Sequence, residues 1–393
     1  MDVINETKNE RQYFIDWLRI GLIISVFFFH IGMYFNSWDW HVKSKESLTF
    51  LEPIMSWLHL WRMPLLFLVS GVGTYYALGF RTVKKYIKER FKRLYIPFSL
   101  GIFTLVPIQV YIEKIDDYSS LWNYYLHMFD GIYPSGNFSW HHLWFLIYLL
   151  LISLLISPFL NYLRSDRFLN IKDWLIQKTS TKFGLNWVLP ILLFSQYILR
   201  QYFPEHTHAL GNDWAYFTYY LLFFVCGLIL FTSSKVINAL AANRRTYLYQ
   251  TLIFTIIYYI NIYLIEPSSL RHYVYLISSI SVAWSCGMTV IGYAKMYANK
   301  DSKFRKPLNT AIYPFYLLHQ PIIIVVGYVL LQWDLPTSVN ALLIIVLSLL
   351  ITIGGYWIIV KSNILRIAFG MKMKSKPGTI AKRSIKNTII FDK

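Results

Sequence analysis

Charge is scarce in this chain. Only 15% of its 393 residues are Asp, Glu, Lys or Arg, where a soluble domain carries about a quarter. The shortage runs along the whole length, leaving recurrent apolar segments of about 20 residues, each long enough to cross about 30 Å of hydrocarbon as a helix. A soluble domain hung on one anchor is thereby excluded. Cysteine occurs twice, as Cys226 and Cys286, both inside apolar segments. No disulfide framework or thiolate metal site can be assembled from them, and both are expected to serve packing. A glycine-rich nucleotide loop and a serine elbow of the hydrolase type are also missing. Acidic residues are few, 20 against 38 Lys and Arg, for a net charge of +18. No nucleic-acid motif accompanies that excess, and the basic cytoplasmic loops of a membrane protein account for it. The expected surroundings are a lipid bilayer, with no nucleic-acid partner.

What is present is apolar: 56% of residues are hydrophobic and 19% aromatic. Apolar windows predict an all-α polytopic membrane protein of about ten transmembrane helices, at 16–36, 54–79, 93–113, 142–163, 186–203, 214–232, 246–265, 272–297, 309–332 and 339–360. Connections rich in Lys and Arg (Lys84 to Arg93, Arg164 to Lys182, Lys235 to Arg245, Lys300 to Lys306) alternate with connections that carry Asp116, Asp117, Asp130, Glu205, Asp213, Glu266 and Asp334. The alternation places both termini on the cytoplasmic side. Residues 1–15 form the expected cytoplasmic N-terminal segment, 16–360 the membrane domain and 361–393 a basic cytoplasmic tail. The first apolar stretch has no small-residue cleavage pattern and is expected to remain as a helix. The longest connections are the external 114–141 and the cytoplasmic 164–185.

A charge inside hydrocarbon costs several kcal/mol, so intramembrane ionisable residues are the functional candidates. In the first span Asp16, Arg19 and His30 stand out. At about 100° per residue, Arg19 and His30 share one helix face, separated along the axis by about 16 Å. Asp16, one turn before Arg19, can pair with it. An anion held by Arg19 could extend its far end to His30, a shape that suits a phosphopantetheine arm. The plainer readings are an Arg19 that snorkels and a His30 that only hydrogen-bonds a neighbouring helix. Arg62 lies inside the second span and must meet a carboxylate, a carbonyl cluster or a water-filled cavity. His59, one turn earlier, is expected nearer the wet interface. Pro64 should bend that helix, and Ser70-Gly71 should permit close helix approach. Arg90 and Arg93 can reach one phosphate, although positive-inside charge explains them equally well. His142 opens the fourth span and His319 lies midway through the ninth. No metal is expected: the adjacent His141 and His142 lack the i, i+4 spacing of a helical zinc pair.

In this order the residues resemble the membrane-bound acyltransferase family 3, over nearly the full chain. Arg19 and His30 resemble its first-helix Arg-x10-His signature, and Arg90-x-x-Arg93 its second. The stretches Met63-Pro64 to Ser70-Gly71, His142-Leu143-Trp144-Phe145-Leu146 and Tyr313-Pro314 to His319 follow as expected. The Arg62-Met63-Pro64 context looks most like a branch implicated in succinylating periplasmic glucans. The resemblance implies a membrane-bound O-acyltransferase with acyl-CoA as cytoplasmic donor and an extracytoplasmic glycan hydroxyl as acceptor, the acyl group being acetyl or succinyl. On that reading His30 is the general base, assisted by Asp16 and Arg19; Arg19, Arg90 and Arg93 hold the donor's phosphates; Arg62, His142 and His319 face substrate. The rival class is a transporter or flippase for a glycan or lipid-linked substrate, which needs intramembrane charges but no coenzyme A. A purely structural membrane protein leaves the Arg19–His30 pair without a use.

Overall fold

The computed structural model describes residues 12–79 and 81–374. The expected N-terminal segment therefore lies largely outside the described residues, as does the tail beyond 374. The helices run α1 (Tyr13–Phe35), α2 (Leu51–Gly79), α3 (Val83–Thr104), α4 (Val106–Glu113), α5 (Leu121–Leu126), α6 (Trp144–Ile156), α7 (Asp166–Thr179) and α8 (Leu189–Leu199). They continue with α9 (Trp214–Ile229), α10 (Ser234–Ala242), α11 (Arg244–Leu264), α12 (Ser269–Tyr297), α13 (Arg305–Leu331), α14 (Thr337–Ile359) and α15 (Asn363–Ala368). No strand occurs among the described residues, so this is an all-α, multi-pass membrane protein.

All ten apolar windows fall on helices, but among the described residues seven stretches are long and apolar enough to span, or eight counting one bent pair. Three windows differ for separate reasons. Helix α2 has the length, but His59, Arg62 and its small polar residues dilute its hydropathy. The stretch Gly184–Leu199 is short, and α9 and α10 form a pair bent by 106°. An apolar window counts residues, whereas crossing a bilayer needs a long, straight rod. The two long connections are also partly helical. The basic run from Lys84 to Arg93 is the opening of α3, whose Thr82 side chain accepts the Lys85 N–H at 3.3 Å. Helix α7 occupies 166–179 behind a Ser165 cap, and α5 sits within 114–141.

Helix α2 is the central post. At Ser70-Gly71 the approach is as close as the sequence implied. A Cβ on Gly71 would sit 2.0 Å from the Phe224 carbonyl oxygen, and one on Gly227 would sit 1.9 Å from that of Leu68. Helices α2 and α9 thus pack backbone to backbone, the geometry that small residues make possible in lipid. Despite Pro64, α2 is a single unbroken helix. Around it, α12 is buried over 78% of its apolar window, whereas α11 and α14 are each buried over only 22%. The latter two therefore face lipid, and α12 belongs to the core.

Helical prolines set up inter-helix contacts. A proline lacks the N–H that would satisfy the carbonyl four residues earlier, and hydrocarbon offers no water to replace it. Three such carbonyls are bonded by side chains from elsewhere. Opposite Pro97, the Arg93 oxygen accepts from the Tyr313 hydroxyl at 2.7 Å. Opposite Pro107, the Phe103 oxygen accepts from Tyr125 at 2.9 Å. Opposite Pro321, the Leu317 oxygen accepts from His142 Nε2 at 3.1 Å. The last of these places His142 against α13.

Candidate active site

Helices α1 and α13 pack side by side, and their facing polar residues build two linked centres. The first is a histidine chamber. His319 Nδ1 lies 2.6 Å from the Tyr316 carbonyl oxygen, which can only accept, so this nitrogen carries the proton. The Nε2 of a neutral His319 is then an acceptor, and it faces His30 Nδ1 at 2.8 Å. His30 therefore donates from Nδ1, which leaves a lone pair on its own Nε2. The two rings are nearly parallel, 10° apart with centroids at 5.0 Å. Trp40 covers the other side of His30 at 6.2 Å. His142 meets His319 edge to face at 5.5 Å, and Tyr316 donates its hydroxyl to the His142 carbonyl. With Nε2 of His142 bonded to Leu317, its buried Nδ1 has no hydrogen-bond partner among the described residues.

The second centre lies at the basic end of the same helices. Asp16 pairs with Arg19 across one turn at 3.8 Å and also with Arg305 of α13. Arg305 is fully buried and reaches Asp301 as well, at 2.7 Å. That guanidinium holds the Asp301 carboxyl below the usual range. Arg19 also donates to Asn309 at 3.3 Å. The charges of Arg93 and Arg90 both act on Arg19, so α3 brings two guanidinium groups within electrostatic range of the one on α1. Arg90 donates to Ser153 at 3.1 Å while its buried Nη2 is unpartnered, and Arg93 lies 5.3 Å over the Tyr313 ring. Of these three cations only Arg19 is paired with a carboxylate, so the group keeps positive charge with which to hold an anion.

Arg62 is only 3% exposed and stands 3.9 Å over the face of Phe29, the residue before His30. Its Nε and Nη1 find no hydrogen-bond partner among the described residues. The partner the structure gives Arg62 is thus an aromatic face. His59 is half-buried: it stacks on Phe29 at 5.9 Å and lines a cavity of about 230 Å³ with Arg200, His206, Tyr216 and Tyr220. That cavity lies one layer of side chains from His30.

Of the residues singled out in the sequence, His30, His142 and His319 meet in the chamber, Arg62 adjoins it through Phe29, and Arg19, Arg90 and Arg93 meet at the basic end. Asp16 belongs to the arginine centre, about 21 Å along the helix axis from His30. In the sequence Arg305 counts only among the basic charges of the connection from Lys300 to Lys306, although its i, i+4 spacing from Asp301 is a signal for the pair. Trp40 gave no signal, because it approaches His30 from a connection rather than from a helix face.

Comparison with known proteins converges on one family. The family described as an acyltransferase domain matches residues 12–361. The glucans biosynthesis protein C of Escherichia coli strain K12 is 28% identical over 241 residues, 58% of this chain and 60% of that protein. Its counterpart in Escherichia coli O6:K15:H31 is 27% identical over the same coverage. The match thus spans about three fifths of the relatives' length. No solved structure matches. With the family matched along nearly the whole membrane domain, the chain belongs to the acyltransferase family.

Proposed function

We propose that the protein transfers an acetyl or succinyl group from cytoplasmic acyl-CoA to a hydroxyl of an extracytoplasmic glycan, at the inner membrane. The observation that carries the reading is the bond from His30 to His319, which leaves His30 Nε2 as a lone-pair base. The acceptor oxygen attacks the thioester carbonyl, and His30 Nε2 takes the hydroxyl proton. The C–S bond then breaks, and His30 returns that proton to the departing thiolate. His319 orients His30 and shares the transient charge, in the way a second group fixes a catalytic imidazole. Arg19, Arg90 and Arg93 hold the donor's phosphates, and Asp16 with Arg305 positions Arg19. The axial distance from Arg19 to His30, about 16 Å, is filled by the pantetheine arm.

A glucan acceptor is supported by the name of the Escherichia coli relatives. Arg62, whose Nε and Nη1 have no hydrogen-bond partner among the described residues, suits the free carboxylate of a succinyl group. Arg62→Leu is then expected to shift donor preference from succinyl toward acetyl; equal loss with both donors gives Arg62 a structural role instead. Mass spectrometry of envelope glycans from cells carrying wild type or His30→Gln tests the main proposal. The expected result is an acyl mass increment that disappears in the variant while its membrane level is unchanged. Full acylation by His30→Gln would overturn the assignment.

A further inference from the structure

At the end of the bundle opposite the arginine centre, three side chains from three distant segments converge. His41 lies in the connection between α1 and α2, Glu113 ends α4, and His141 lies in the turn before α6. Their donor atoms all fall within 4.8 Å of one another. His41 Nδ1 contacts a Glu113 carboxylate oxygen, and the His41 and His141 rings meet edge to face at 4.4 Å. The buried Nε2 of His141 has no hydrogen-bond partner among the described residues. We infer that His41, Glu113 and His141 form a binding site for a divalent transition-metal ion of the zinc type.

The donor set is the first argument. Two imidazoles and one carboxylate are a recurrent three-ligand set for zinc, with a fourth position open to water. The absence of sulfur disfavours softer ions such as Cu(I). Bonds of about 2.0–2.1 Å would set the donors roughly 3.3 Å from each other, so the His41–Glu113 contact would part and His141 draw in, by modest ring and carboxylate rotation.

The second argument is the surrounding shell, because ligands of a metal are held by outer partners. Each of the three has one. The Tyr133 hydroxyl donates to the free Glu113 oxygen at 2.9 Å. Ser139 Oγ lies 3.3 Å from His141 Nδ1, leaving Nε2 facing inward. Gln320 Nε2, held by buried Gln109 at 2.9 Å, packs 3.4 Å from His41 Nε2 and fixes the place of that ring; with the proton of a metal-bound His41 on Nε2, this contact is packing and not a hydrogen bond. His141 adds strain, with φ at +37° in a non-glycine residue, as happens where geometry is held for a purpose.

Position gives the ion a task. Two of the ligands and one supporting residue are chain neighbours of chamber residues: Trp40 precedes His41, His142 follows His141, and Gln320 follows His319. A bound ion therefore clasps the rim of the His30 chamber. Helical spacing could not reveal it, since the donors lie far apart in the chain.

The test uses full-length protein purified in detergent, stripped with a chelator and titrated with Co²⁺, then with competing zinc. The expected result is one equivalent bound, a visible absorption of four- or five-coordinate cobalt, and a higher unfolding temperature for the loaded protein. Glu113→Gln and His141→Gln are expected to abolish the stoichiometric uptake. Tyr133→Phe, which keeps all three ligands, should weaken it by about tenfold or more. His206→Ala/His208→Ala should retain it. Wild-type protein that stays folded yet takes up no stoichiometric Co²⁺ or zinc overturns the inference. Unchanged uptake by folded Glu113→Gln and His141→Gln also overturns it.

Discussion

The two ends of α1 solve the same problem in opposite ways. Near the basic end, Asp16, Arg19 and Arg305 remain charged and compensate one another, with Asp301 completing the set. Three turns deeper, His30, His319 and His142 form a centre whose partners are one another and the carbonyls of Tyr316 and Leu317. Close to water, an ion pair can be balanced and partly hydrated. Deep in the bundle, a neutral imidazole bonded to a backbone carbonyl avoids the desolvation cost of charge. The comparison assigns different tasks: the charged end can bind a charged molecule, and the neutral centre can move a proton.

The sharpest way to break that division is to remove the base. His30→Ala is expected to lower acyl transfer by about 10²–10⁴ or more, measured as kcat/KM on membranes with matched protein levels. Next comes the coupling of the two histidines. His319→Ala should cost less than His30→Ala, and the double variant should be no worse than His30→Ala alone, because the pair acts as one unit. Arg19 and His30 should instead behave additively, being about 16 Å apart without a shared partner. Additive His30–His319 losses would dissolve the chamber as a unit.

At the charged end, Arg90→Gln or Arg93→Gln should raise the KM for acyl-CoA by about tenfold to a hundredfold, the worth of one charge-assisted contact, with kcat nearly unchanged. A fall in kcat at constant KM would move these arginines out of donor binding. A smaller effect is expected from Pro321→Ala, which returns an N–H able to compete for the Leu317 carbonyl. It should loosen His142 and reduce kcat several-fold less than His319→Ala does, read on the same membranes.

The smallest effect concerns the connection over the chamber. Lys43 donates to the Met33 carbonyl at 2.6 Å and to Asn36 at 2.9 Å. Burial lowers its pKa from 10.5 to about 8, against a partial opposing effect of Asp39 and Glu52. The unfolded chain therefore binds this proton more tightly. Its contribution to stability is complete above 10.5 and is lost as pH falls through about 8. Thermal unfolding between those limits should show stability rising with pH, and Lys43→Met should flatten that slope.

The sequence by itself determined that the chain is helical and membrane-embedded, because hydrophobic periodicity and loop charge are local properties. It also determined that Arg19 and His30 share a face, since a single unbroken helix fixes angle and rise. Within helices, Pro97, Pro107 and Pro321 each leave a carbonyl in need of a donor. Which donor arrives was decided only by tertiary structure. The same holds for the pairing of His30 with His319, for Arg305 on Asp16, and for His41 beside Glu113 and His141. Those contacts join residues far apart in the chain, and their geometry follows from how α1, α3, α4 and α13 pack. No spacing along one helix encodes the distance to another.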